Sequence, residues 1–315
     1  MRLLQIVTVS ATLAVLPASA FAQGREQKPP DTDKTVPVTR GLRLSVVNDA
    51  GEVVIKSWNQ DSVRVQARHS SRVGVDIQTS NNIVNIRKRA SGPSQTIDYE
   101  ISAPAWMPIR VTGQFAYIGI EGVQSEVYAE TVNGDVVVKG GSGFVTAKSI
   151  QGEIIVEDAK GKISAIAVNE GVRITGATGE IVVDSTNGDI TMTKVDAKSV
   201  DVGSVNGNIR FEGTMANAGQ YRFATHNGNI TMVLPDSTNA TFTVRTYNGE
   251  FSSNLQTKAV GEIRRGRRAT YSLGNGGAEV ELESFSGSIR LRRPGTVAPP
   301  RTKDKEHEKH EERPD

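Results

Sequence analysis

The 315-residue sequence contains no cysteine. Disulfides, thiolate metal sites and a lipid anchor attached through cysteine are therefore excluded. Aromatic residues make up only 5% of the chain, and its two tryptophans, Trp58 and Trp106, both stand in the first half. Long apolar runs are equally scarce. The clearest, from Ile6 to Leu16, is too short for a membrane span, which needs about 20 residues. Charge is close to balance at +2, so bulk electrostatics exclude neither anionic nor cationic partners. Glycine is plentiful, with 31 residues, which suits short strands separated by frequent turns.

The ends of the chain differ from its middle. A basic start, the short apolar run and the small residues Ala20 and Ala22 together describe a secretory signal peptide over residues 1–22, with cleavage expected before Gln23. Residues 23–35 are polar and carry Pro29 and Pro30, and are expected to form a flexible leader. From 294 to 315 the sequence offers Pro299-Pro300 and then alternating lysine, glutamate and histidine. With nothing apolar to bury from Arg301 on, a disordered charged tail is expected. Apolar residues alternate through Ser62–Ala67 and Ile83–Ile86, the period of a half-buried strand. No window shows a capped helical period.

The most informative feature is a repeated phrase. It reads Asn133-Gly134-Asp135-Val136-Val137-Val138, then Gln151-Gly152-Glu153-Ile154-Ile155-Val156, then Asn187-Gly188-Asp189-Ile190-Thr191-Met192. Asn206, Asn227 and Ser286 open further copies. Apolar residues stand two and four places after each glycine, on one face of a strand, and Asn-Gly suits a tight turn. The main glycines recur every 18 to 21 residues through the regular copies, with half-period glycines at Gly143, Gly161 and Gly179. Such a period admits stacked hairpins or a coil whose equivalent strands lie parallel. The steady spacing and single inward face favour the coil. Three places depart from it: Ser253 holds an apolar slot, the Gly276-Gly277 unit is offset, and Gly171 stands out of phase with Val172 and Ile174.

Three blocks then carry a resemblance: Val46–Val65 with its Gly51-Glu52-Val53 and Trp58-Asn59 phrases, Tyr99–Pro104 ahead of Ile109-Arg110-Val111, and the glycine array from Gly134 to Gly287. On these the chain resembles the bacterial family of unknown function called putative adhesins, exported proteins built of a β-strand repeat. Ala103 stands where that family usually shows valine. The resemblance implies a location in the cell envelope or at the surface.

A search for chemistry finds little. His69 lies in a strand-like segment, His226 at a turn of the repeat, and His307 and His310 in the charged tail; a zinc site needs three or four converging ligands. No nucleophile elbow, phosphate loop or dinucleotide fingerprint occurs. Asp135, Glu153 and Asp189 follow repeat glycines and would align as a carboxylate ridge of the kind glycosidases need. Later copies put Asn208, Asn229 and Ser288 there, so the slot reads as a turn position for small polar residues. Aromatic platforms for sugar stacking are missing from the array on this reading, since both tryptophans precede it. Calcium-binding nonapeptides are absent. Arg264, Arg265, Arg267 and Arg268, with Arg290, Arg292 and Arg293, suit either anionic polymers or lipid head groups, or a guard against strand pairing at an open edge.

The expectation is therefore an all-β chain. A small N-terminal β region over 36–112 precedes a right-handed or irregular β-solenoid of short strands with Gly or Asn-Gly turns over 113–293. Its function is expected to be non-enzymatic, as an exported envelope or surface module for adhesion or scaffolding, in the periplasm, at the cell surface or outside the cell. The alternatives are an envelope-polysaccharide binding or cleaving protein and an accessory of an envelope-stress system. No catalytic, cofactor-binding or metal-ligating residue is assigned, and no cofactor is expected. Envelope polymers or surface glycans are the candidate partners; nucleic acid and a transmembrane segment in the mature chain are not expected.

Overall fold

The computed structural model describes residues 29–89, 96–261 and 268–295. The expected signal peptide, residues 23–28 of the leader, Arg264, Arg265, Arg267 and residues 296–315 of the charged tail lie outside them. The described strands join in one continuous hydrogen-bonded sheet, and no helix occurs among the described residues. The sheet is coiled, and most of its ladder pairs are parallel.

The repeat explains the coil. Ile118 pairs with Val136, Val136 with Ile154, Ile154 with Val172 and Val172 with Ile190, each step being eighteen residues. Ile209, Ile230 and Ile289 continue the column, and every member is at most 1% exposed. A second column runs Ile120, Val138, Val156, Ile174, Met192, Phe211, Met232 and Leu291, also buried. The opposite wall contributes Val127, Val145, Ile163, Ile181, Val200, Tyr221 and Val280. Each buried aliphatic side chain contributes about 1.5–3 kcal/mol, so the core is a stack of similar layers. The expected parallel coiling and its inward stack are observed.

The irregular positions have physical explanations. Val172 and Ile174 are in register with Ile154 and Val156. It is Gly171 that occupies the place held by Glu153 and Asp189 in neighbouring coils, while the apolar rhythm is unbroken. The coils lengthen from eighteen residues because Lys198 is an extra residue between Ala197 and Ser199, and because residues 216–219 bulge before Gln220. That bulge is held by Tyr221, whose Oη donates to the Ala197 carbonyl at 2.5 Å and accepts from the Ala216 N–H at 2.7 Å. Below it, Phe211 meets Phe223 edge to face at 5.3 Å.

Spatial order departs from chain order at both ends. Strand Ala278–Ser286 pairs on one side with Ile209–Asn227 and on the other with Ala240–Thr246. The last coil of the chain is thus inserted between two earlier ones, which accounts for the offset at Gly276-Gly277. At the other end Arg43–Trp58 lies between Ile109–Val123 on one side and Ile83–Lys88 with Asp98–Pro104 on the other. No break separates 36–112 from 113–293, since Ile109–Val123 runs through that point and the same sheet continues.

Antiparallel strands close the stack. Val75–Ser80 covers Ile83–Lys88, and Ser62–Arg68 covers Asp98–Pro104. Ala269–Leu273 covers Ala240–Thr246. Residues 32–35, expected within a flexible leader, instead belong to strand Thr32–Pro37, which pairs with Ser62–Arg68. Arg64 explains the difference, for its guanidinium binds both carboxylate oxygens of Asp33, at 2.9 and 2.6 Å. That fork keeps Asp33 below the usual carboxylate range.

Candidate interaction surface

One corner of most coils follows a common phrase, Ser or Thr, any residue, Asn or a similar polar residue, then glycine: Thr131–Gly134, Ser149–Gly152, Ser185–Gly188, Ser204–Gly207, Thr225–Gly228, Thr246–Gly249, Ser284–Gly287; the corner at 167–170 departs from it with Ala167 and Glu170. Its hydroxyl points inward and, except at the half-buried Thr246, is buried. Ser149 Oγ donates to the Gly134 carbonyl at 2.9 Å, Thr225 Oγ1 to Gly207 at 2.9 Å and Ser284 Oγ to Gly228 at 2.9 Å. In these coils the hydroxyl satisfies a carbonyl that the sharp turn would otherwise leave without a ladder partner, whereas Ser204 Oγ, also buried, makes no such bond. The asparagines form an external ladder: Asn187 Nδ2 donates to Asn169 Oδ1, Asn206 to Asn187 and Asn227 to Asn206, at 3.3, 3.0 and 2.8 Å.

Between hydroxyl and asparagine lies one outward residue per coil. Val132, Ile150, Val205, Phe285 and Tyr247 are 44, 45, 47, 42 and 48% exposed. Because the coils are in register, these residues and Val168, Thr186 and His226 line up along the corner. The inserted coil places Phe285 beside His226, whose rings stack at 4.8 Å with 6° between planes. On the other side Phe285 meets Tyr247 at 5.3 Å. A shallow groove of about 730 Å³ flanks this ridge and includes Asp184, Arg222 and Glu283. The Asp184 carboxyl titrates above its ordinary value through burial first and the Asp201 carboxylate second, against the pull of Arg222.

The carboxylates weighed in the sequence are each engaged by the backbone or a side chain of a neighbouring coil. Asp135 Oδ1 accepts the Glu153 backbone N–H at 2.8 Å, and Asp189 Oδ1 accepts that of Asn208 at 2.7 Å. Asn208 and Asn229 repeat the contact to Asn229 and Ser288. The slot thus caps the next coil's backbone rather than its own turn, as the sequence reading had it. Asp and Asn serve equally because each offers the accepting oxygen. Glu153 is also held by Arg173 at 2.8 Å, and Asp189 is two coils away with Gly171 between them.

The other candidates are scattered. His69 accepts from Thr32 Oγ1 at Nε2 and donates from Nδ1 to the Ser70 carbonyl, the tautomer these partners select. Among the described residues no group of three or more His, Asp or Glu side chains is placed to hold a metal ion. Arg290 and Arg292 do not guard an edge, because Ile289–Arg292 is flanked by Ile230–Val233 and Phe251–Ser253. Arg292 donates to Ser252 Oγ and Arg293 to Asp236, while Arg268 borders a separate polar groove with Asp201 and Glu279.

Residues 42–292 match the family described as Toastrack DUF4097. The chain belongs to that family. No curated protein matches it. Among solved structures, a "putative cell adhesion protein" from Clostridium sporogenes is 12% identical with a TM-score of 0.30, covering 84% of this chain and 100% of its own. A "putative adhesin" from Parabacteroides merdae is 9% identical with a TM-score of 0.25, covering 82% of this chain and 95% of its own. The resemblance read from the three sequence blocks is thus matched by the family.

In this Toastrack chain two features escaped sequence reading. The buried hydroxyl column reads locally as a polar turn residue, and only its recurrence two places before each Asn-Gly marks it. The array's aromatic rings were overlooked because His226, Tyr247 and Phe285 occupy one slot of three copies whose order in space, His226–Phe285–Tyr247, differs from their order in the chain.

Proposed function

We propose that this protein is a non-enzymatic module of the cell envelope or surface, and that it presents the exposed corner ridge for adhesion or scaffolding. The observation that carries this reading is the line of Val132, Ile150, Val205, Phe285 and Tyr247, each more than two-fifths exposed and held in register by the coil. Monomeric proteins rarely leave contiguous apolar surface open without using it, and a coiled stack adds lateral surface with every turn. The asparagine ladder beside the ridge adds hydrogen-bonding groups at the same repeat.

The test is attachment of the purified protein to isolated envelope material. Phe285→Asp with Tyr247→Asp should abolish attachment while the circular dichroism spectrum stays unchanged, since both rings lie at the surface. Attachment equal to the parent's would overturn the reading. The non-enzymatic part is tested with pectin, alginate and peptidoglycan: turnover that disappears in Asp135→Asn or Glu153→Gln would refute it. Export is tested by N-terminal sequencing of protein from the periplasm or medium, where a start at Gln23 is expected; an intact Met1 confined to the cytoplasm would refute it.

A further inference from the structure

A second surface lies at the opposite ends of the strands that carry Val132 and Ile150, many coils from Phe285 and Tyr247, and does not depend on the ridge's role. Two adjoining clefts of about 240 and 290 Å³ share Arg43, Pro108 and Glu126 and together form one trough. Arg110 lies over the Tyr128 ring at 4.0 Å, and Arg40 over Trp106 at 5.6 Å. Phe144, at 58% exposure, borders the Tyr128 end.

The chemistry of this trough is specific. Neither Arg40, Arg43 nor Arg110 forms an ion pair with a carboxylate among the described residues. A guanidinium over an aromatic face is oriented by the ring and keeps in-plane N–H donors for a planar carboxylate. Phe144 adds an apolar platform of the kind the C–H face of a pyranose covers. Glu126 is an acceptor for hydroxyl groups. A phosphate chain would use the guanidinium groups alone, whereas a sugar ring bearing both hydroxyls and one carboxylate fits each group.

We propose that this trough binds an acidic glycan of the uronic-acid type, with Arg110 and Arg43 on its carboxylate, Phe144 under its ring and Glu126 accepting its hydroxyls. The ladder advances one coil about every 4.8 Å, so Glu126 and Phe144, one coil apart, can meet neighbouring parts of an extended chain.

Calorimetry with the whole protein and an oligogalacturonate provides the test. Its methyl-esterified form, which keeps the rings and removes the charge, should bind at least about tenfold more weakly. Arg110→Gln and Phe144→Ala should each weaken oligogalacturonate by a similar factor, whereas Arg290→Gln, on a different wall of the coil, should not. No binding of oligogalacturonate, or equal binding of the ester, would overturn the proposal. Equal binding of inorganic phosphate or a sulfated oligosaccharide, insensitive to Phe144→Ala, would also overturn it by showing a plain anion site. Both surface variants should retain the parent's spectrum and melting temperature. These outcomes are separable from the ridge experiment, because Phe285→Asp and Tyr247→Asp leave the trough intact.

Discussion

Glycines divide into those limited by space, at the corner, and those limited by backbone angle, at outer turns. Gly228 has no room for a side chain, since a Cβ there would overlap the Gly207 carbonyl. Gly41 meets nothing within 4 Å but holds φ at +95°. Gly228→Ala should therefore destabilise by more than about 2 kcal/mol, and Gly41→Ala by about 1 kcal/mol, as urea denaturation would measure. Equal costs would mean that coil-to-coil approach does not limit the corner. Asp184 offers a pH test. Its folded pKa is raised, so its contribution is fully present below the ordinary carboxylate value and is lost as pH rises through the raised one. Asp184→Asn should thus be as stable as the parent or slightly more so at pH 7. That advantage should vanish by about pH 3, where the parent is protonated too; an advantage that grows on acidification would contradict the assigned sign.

At the scale of a strand, register decides everything, and register was the legible part. Val136, Ile154, Ile190 and Ile209 could be placed in one column because two-residue alternation and a steady period each demand it. The wall-to-wall order of the last coils was not legible, because a parallel ladder leaves no local mark of which strand it joins. Nothing in Ser284-Phe285-Ser286 says that its neighbours are Thr225 and Thr246. For the same reason the aromatic ridge could not be read, nor the trough, whose Arg43, Arg110 and Tyr128 come from three coils. The column itself can be tested at Ile209, 1% exposed. Ile209→Val should cost about 1 kcal/mol by leaving a small void. Ile209→Asp should cost about 3 kcal/mol or more, because a carboxylate there has no partner. Thermal melts of both variants would show whether the layers behave as one close-packed core.

For the whole molecule the inserted coil has a consequence that chain order alone would reverse. If coils stacked in order, residues 278–292 would form the terminal turn, and truncation there would remove only an end. In the structure they stand inside the stack, pairing with Ile209–Asn227 and Ile230–Val233 on one side and with Ala240–Thr246 and Phe251–Ser253 on the other. Loss of residues 278–295 uncovers Tyr221, Phe223 and Met232 on one neighbour and Phe242 and Val244 on the other, all buried in the complete chain. Excision of 236–275 is different in kind. It removes the outer coil and its antiparallel cover and lets Pro235 continue into Gly276, so that the 209–233 coil passes directly to the 278–292 coil as earlier turns do. Stability in such stacks is roughly a sum of coil terms and nearest-neighbour interfaces. The excised chain loses interfaces at one end, whereas the truncated chain loses those on both sides of an interior layer. The excised variant should therefore keep a cooperative melt at a lowered temperature. The truncated one should lose cooperativity and be cleaved by protease within 209–253. A truncated protein that melts as high as the excised one would show that the last coil sits at the end of the stack after all.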